Sequence, residues 1–343
     1  TCAIIYFPSV IYWLVSLQGL RLAHPLMFIP WAVFGLYLAV YHVAFVAILK
    51  RIYGGRIPLI LSAPVVWVGL ECIRNYLATG ISVLMLGHHV ANVPHLIQIA
   101  DLFGTYGVSF VIATVNVAVW TAAEAIRTKQ RFKLAMASGT AAATLLIMAV
   151  VYGQHRLTQP LGEELATFAL IQRSEPIEYN HSLEHEIDIF KNYAQQTALA
   201  AAKADRRIDA VVWPESMFTA GSPWRFVDDD AQVPAEFDGS RPEFFDLIRV
   251  HQARFTDRAR YVQSAFGLRQ ANSQTPQLLV GCGVMQYGQQ TDVYSGFIHV
   301  DSLGRLNDWY GKTHLVMFGE YIPIAPHVPL LKSLVPPGLG IRV

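Results

Sequence analysis

Two charged residues stand where apolar, β-branched sequence stops. Glu215 sits in Trp-Pro-Glu-Ser, directly after the run Ile208–Trp213. Pro214 ends that run because it has no N–H to give to a strand ladder. Lys312 sits in Tyr-Gly-Lys-Thr-His-Leu, followed by Phe318-Gly319-Glu320-Tyr321-Ile322-Pro323. A carboxylate in apolar surroundings can take a proton near neutral pH. A fixed ammonium can stabilise the oxyanion that forms when a nucleophile attacks a carbonyl. Base and cation together would suit attack on a carbonyl; each taken alone is an ordinary surface charge.

The elements that must hold them are short. Thr167–Gln172, Ile208–Trp213, Gln277–Val284 and Tyr294–Val300 read as strands, and Leu183–Ala202 as a helix with apolar periodicity. A turn at Asp301–Arg305 leads into Trp309–Tyr321. Strands alternating with helices predict an α/β layer whose chemistry gathers in loops at strand ends. The charged, aromatic stretch from Ser216 to Gln263 is read as a loop, a candidate lid over an acyl chain. Its triplet Asp228, Asp229 and Asp230 reads as a solvated segment or a cation site.

The first half has a different composition. Of 343 residues, 53% are hydrophobic and only 15% charged, against about 25% in soluble domains. The charge deficit lies mainly before residue 156, which divides the chain into a membrane part, 1–156, and a globular part, 157–343. Crossing a bilayer takes about 20 apolar residues as a helix. Five stretches meet or approach that length: Cys2–Gln18, Pro25–Leu49, Ile57–Tyr76, Gly104–Ile126 and Leu134–Tyr152. Lys50, Arg51 and Arg56 lie in one connection, and Arg127, Lys129, Arg131 and Lys133 in another. The positive-inside bias makes both cytoplasmic, so everything after Gly153 emerges on the far side. Glu71 and Arg74, three apart on one helical face, read as a membrane-depth pair that either lines an outer site or snorkels. His88, His89 and His95 have no carboxylate or thiolate at ligand spacing, so no metal is expected there. The net charge of +1 gives no nucleic-acid footprint. Cys2, Cys72 and Cys282 are too scattered for a disulfide framework or a zinc site. The chain opens on Thr1 and enters apolar sequence at once, which reads as the interior of a longer gene product.

In this order, Trp-Pro-Glu-Ser and then Tyr-Gly-Lys-Thr-His-Leu-Val-Met-Phe-Gly-Glu-Tyr-Ile-Pro resemble the nitrilase superfamily. The second motif is similar in form to the membrane-bound branch, apolipoprotein N-acyltransferase. Ala63-Pro64 with Trp67, Glu71, Arg74 and Thr79-Gly80 is similar to one of that family's membrane segments. Leu96-Ile97-Gln98-Ile99-Ala100-Asp101, with Gly104, Tyr106-Gly107-Val108-Ser109-Phe110 and Asn116, is a second, more specific match. The resemblance runs from about Tyr12 to the end of the chain.

It implies a polytopic α-helical membrane bundle followed by an α/β nitrilase-like αββα sandwich, incomplete at its C-terminus. Glu215 would be the general base, Lys312 would stabilise the tetrahedral intermediate, and Glu320 would be a supporting glutamate. The reaction implied is ping-pong: a cysteine thiolate takes an acyl chain from a phospholipid. The amino group of a diacylglyceryl-cysteine lipoprotein then receives it. No cofactor is implied. The setting is the bacterial inner membrane, with the catalytic part on the periplasmic side. The nucleophilic cysteine of this pattern follows the lysine on the next strand. No cysteine follows Lys312, so the nucleophile is expected beyond residue 343 and the sequence is read as truncated at both ends. Cys282, which precedes the lysine, reads as a buried strand thiol. Two alternatives remain on the residues alone: a membrane-anchored nitrilase-type amidase, and a non-catalytic polytopic scaffold or transporter.

Overall fold

The structure is a computed structural model that describes residues 28–55, 57–77, 80–82, 84–175, 182–228, 230–235, 237–267 and 275–315, with side chains from residue 35 onward. The expected first span, Cys2–Gln18, lies outside the described residues. The chain divides into two compact units, Thr1–Gly162 and Glu163–Val343.

The first unit is helical: α1 (Phe28–Ile52), α2 (Leu59–Tyr76), a 3₁₀ turn (Leu86–Val90), α3 (Pro94–Ile97), α4 (Ala100–Thr128) and α5 (Phe132–Thr158). Among the described residues, three stretches are long and apolar enough to cross a membrane: Gly35–Ile52 within α1, and the whole of α4 and α5. The helix α2, expected as a span, is not among them. Its 18 residues include Pro64, Glu71, Arg74 and Asn75, which dilute its apolar character. The buried residues of α4 and α5 are mostly small. Ala113, Val117, Thr121 and Ala125 recur every fourth position on α4, and Ser138, Ala142 and Ala149 lie on α5. Small side chains let helix backbones approach closely where no hydrophobic effect drives them together. Val40, Val43, Val119, Ile147 and Val151 point outward, each more than half exposed.

The connection between α4 and α5 is tight, with Lys129 and Arg131 both in the left-handed region (φ 53° and 58°). Arg131 donates to the Tyr53 hydroxyl at 2.9 Å. That contact brings the turn to the end of α1, where Lys50 and Arg51 close the helix. Both basic connections therefore gather at one end of the bundle. At the far end of α5, Arg156 pairs with Asp101 at 2.8 Å and the Tyr152 hydroxyl donates to the same carboxylate. Glu71 and Arg74 are each only 4% exposed but do not pair with each other. The Glu71 carboxylate instead accepts from the Trp67 indole at 2.9 Å and the Leu86 amide at 2.8 Å. The expected ion pair is thus replaced by a brace between α2 and the 3₁₀ turn.

The second unit is built on one mixed sheet: β1 (Phe168–Leu170), β2 (Ala210–Trp213), β3 (Trp224–Val227), β4 (Gln277–Tyr287), β5 (Thr291–Val300) and β6 (Leu306–Gly311). The order is β1-β2-β4-β5-β6, and β3 also pairs with β4. Strands β2 and β3 run parallel to β4 on successive stretches: Ala210–Trp213 opposite Gln277–Val280, and Trp224–Val227 opposite Val284–Tyr287. Helices α6 (Leu183–Lys203) and α7 (Arg241–Gly267) supply the partners for one face. Side chains alternate across a strand, so Leu278, Val280, Cys282 and Val284 form that core face of β4, all fully buried. They pack with Phe190 and Tyr193 of α6 and Phe255, Ala259 and Val262 of α7. The other face keeps Leu170 (74% exposed), Phe297 and Tyr310 in the open.

The stretch from Ser216 to Gln263, expected as a loop, is largely regular structure. It holds β3 and most of the 27-residue helix α7. Ser240 starts that helix, with the Glu243 carboxylate accepting from both its amide (2.7 Å) and its hydroxyl (2.8 Å). This is the glutamate half of a capping box, in which the N3 carboxylate takes up the amide of the residue that starts the helix.

Candidate active site

Between Trp213 and Trp224 the chain leaves the β4 edge and returns to it. The backbone groups of β4 left without a ladder partner are taken up by this loop. Phe218 N–H donates to Gly281 O and Gly283 N–H donates to the Thr219 hydroxyl, both at 2.9 Å. The loop crosses directly over Gly281. A Cβ there would sit 2.3 Å from Pro214 O and 2.5 Å from Glu215 Cα. Ser216 takes the left-handed region at φ 64°, so the turn is sharp immediately after the glutamate. Arg258 of α7 clasps the rest of the loop from behind. Its guanidinium donates to Thr219 O and to Ser222 O (2.8 Å) and lies over the rings of Phe218 and Phe255. Burial lowers the pKa of that guanidinium below the usual value.

Lys312 lies at the far side of the meander, just past β6. Its amide donates to Ser295 O at 2.9 Å, and Ser295 itself pairs with Gly283 in the β4–β5 ladder. The three strands bring the two charges together across 97 residues: Lys312 Nζ is 3.2 Å from Glu215 Oε1. The Ser295 hydroxyl donates to the same oxygen at 2.8 Å. The carboxylate is 60% exposed and the lysine 29%. An ion pair that open to solvent adds little stability; what it supplies is a fixed distance between a base and a cation. That arrangement can abstract a proton and hold an oxyanion within one small volume.

The match to known proteins begins in the helical unit. Residues 1–118 match the family model for the apolipoprotein N-acyltransferase N-terminal domain. The apolipoprotein N-acyltransferase of Rhodopirellula baltica is 44% identical over 98% of this chain. This chain is similar to members of that family over nearly its whole length. The apolipoprotein N-acyltransferases of Geobacter metallireducens and Agrobacterium fabrum are 30% and 24% identical, over 89% and 93% of the chain. The chain spans 63%, 51% and 53% of the lengths of these three relatives.

Of the expected site residues, the structure brings Glu215 and Lys312 into contact, while Glu320 lies outside the described residues. Cys282 is fully buried on the core face of β4, and its thiol donates to Gly283 O at 3.3 Å. Burial raises the pKa of that thiol. Glu215 and Ser295 lie on the opposite face, so this sulfur does not meet the base. Asp228 accepts from the Gln286 amide at 3.0 Å. Among the described residues no cluster of His, Cys, Asp and Glu is arranged to hold a metal. The sequence reading missed Ser295 and Gly281. Gly281-Cys282-Gly283 inside a strand was the available signal, because strand glycines mark close backbone approach.

Proposed function

We propose that the protein expressed from the complete gene is a membrane N-acyltransferase. It moves an acyl chain from a phospholipid to the amino group of a diacylglyceryl-cysteine lipoprotein by way of a cysteine thioester. The observation that carries this reading is the Glu215–Lys312 contact, in a chain similar to this family and with helices long enough to cross a membrane. Glu215 takes the thiol proton, Lys312 stabilises the tetrahedral oxyanion and Glu320 supports the lysine. The nucleophilic sulfur is sought outside the 343 residues, because Cys282 lies across the sheet from the base.

The αββα sandwich is part of the proposal. One face of the sheet already carries α6 and α7, and the exposed Leu170, Phe297 and Tyr310 offer the other face to a second sheet. The joined basic ends of the bundle support a bacterial inner-membrane orientation. With those ends in the cytoplasm, α5 delivers the catalytic unit to the periplasmic side.

The test is intact-protein mass spectrometry on the full gene product, purified in detergent and incubated with phospholipid. A thioester-linked acyl adduct is expected in the wild type and not in Glu215→Ala or Lys312→Ala. An adduct on Cys282, or none on the wild type, overturns the reading.

A further inference from the structure

We infer that Ser295 is a positioning residue that selects which oxygen of Glu215 takes the proton. This rests on the acyl-transfer reading above. Two donors converge on one atom: the Ser295 hydroxyl at 2.8 Å and the Lys312 ammonium at 3.2 Å both reach Oε1. An ionised carboxylate has about four acceptor sites, two on each oxygen, so these contacts fill Oε1. Oε2 has no hydrogen-bond partner among the described residues and is the oxygen left open. In the first half-reaction the S–H bond of the nucleophilic cysteine breaks and an O–H bond forms at Oε2. The sulfur keeps the electron pair as thiolate.

Ser295 is well placed for this role. It sits in mid-strand on β5, its register fixed by Gly283 on one side, and its carbonyl holds the Lys312 backbone on the other. One residue therefore holds the lysine through its main chain and the glutamate through its side chain. Replacing the side chain leaves the main-chain link in place, so the hydroxyl can be tested by itself. Without it, Glu215 keeps only the Lys312 ammonium as a partner among the described residues, and its carboxylate is free to rotate and present either oxygen.

The experiment uses the full gene product in detergent with mixed micelles of phosphatidylethanolamine and phosphatidylglycerol. Adduct formation is followed by quenched-flow mass spectrometry over a range of lipid concentrations. Ser295→Ala should lower the limiting rate about 10- to 100-fold, the range for loss of one hydrogen bond to a charged group. The half-saturating lipid concentration and the melting temperature should stay at their wild-type values. Ser295→Thr, which keeps the hydroxyl on a residue suited to a strand, should restore the rate. A wild-type rate in Ser295→Ala overturns the assignment of Ser295 and leaves the acyl-transfer reading standing. So does an equal loss in both variants accompanied by a lower melting temperature. No adduct in the wild type overturns the reading, and the inference with it.

Discussion

Gly281→Ala isolates how closely the glutamate loop depends on the sheet beneath it. The new methyl would meet three backbone atoms, Pro214 O at 2.3 Å, Glu215 Cα at 2.5 Å and Ser216 N at 2.7 Å. None of these is the end of a side chain that could swing aside. Restoring ordinary contact between such atoms requires the loop to rise by about 1 Å. That displacement is comparable to the slack in the hydrogen bonds from Ser295 and Lys312 to Oε1, so both would lengthen beyond useful geometry. Overpacking of this kind costs about 1–3 kcal/mol, partly offset by about 0.4–1 kcal/mol from the less flexible unfolded chain. A 1 Å misplacement of a reacting group can cost about 100-fold in rate. The expected result is a folded, modestly destabilised protein whose adduct formation has slowed by about two orders of magnitude. Stability would be followed by urea denaturation in detergent and rate by mass spectrometry. Gly69→Ala on α2, where a Cβ meets nothing within 4 Å, is the control that should leave the rate unchanged and raise stability by about 0.4–1 kcal/mol. A Gly281→Ala protein that forms adduct at the wild-type rate would refute the claim that this close approach fixes the base.

Cys282, buried and with its thiol pKa raised by that burial, should resist iodoacetamide in the folded protein and react only on unfolding; rapid native labelling would contradict its place in the core. Thr197→Val should cost about 1–3 kcal/mol, because the fully buried Trp213 indole N–H, now 3.0 Å from the Thr197 hydroxyl, would lose its acceptor; unchanged denaturation would show that the indole finds another partner. The Ser240 amide and hydroxyl lower the Glu243 pKa below the ordinary carboxylate range. A depressed folded-state value stabilises the protein above the unfolded-state pKa, and that contribution is lost as pH falls through the folded value. Glu243→Gln should therefore flatten the acid side of the denaturation-midpoint profile, and an unaltered slope would count against the capping box.

Elements with a strong period or a long apolar run were legible in the sequence. Leu183–Ala202 corresponds to α6, which ends at Lys203, and Ile208–Trp213 contains β2. Four of the five expected spans coincide with helices, although α2 carries too much polar character to qualify by composition. The long helix α7 was readable but unread. Ser240-Arg241-Pro242-Glu243 is a capping-box signature, and Phe244, Ile248, Phe255, Ala259, Val262 and Phe266 form its buried stripe. Its many arginines disguised that stripe as loop composition. Strand β3 is four residues long and exists through its pairing with β4, so no local signal marks it. Glu215 and Lys312 were visible because their flanking motifs are distinctive. Ser295 was not, since its role arises from a contact 80 residues away in sequence.

The division of labour between the strands also bears on the order of assembly. Strands β4, β5 and β6 form an antiparallel meander within residues 277–311, closed by short turns. Such local pairings close early, whereas parallel pairings wait for long crossovers. The meander carries Gly281 and Ser295 and ends beside Lys312, so the seat for the base and its cation can form as one piece. Glu215 arrives on the loop between β2 and β3, which dock only by parallel pairing to the finished β4. An intermediate with the meander built and that edge still bare holds a lysine without its carboxylate. On the proposed reading it lacks the proton acceptor, so the pair that would do the chemistry comes together only as the sheet is completed.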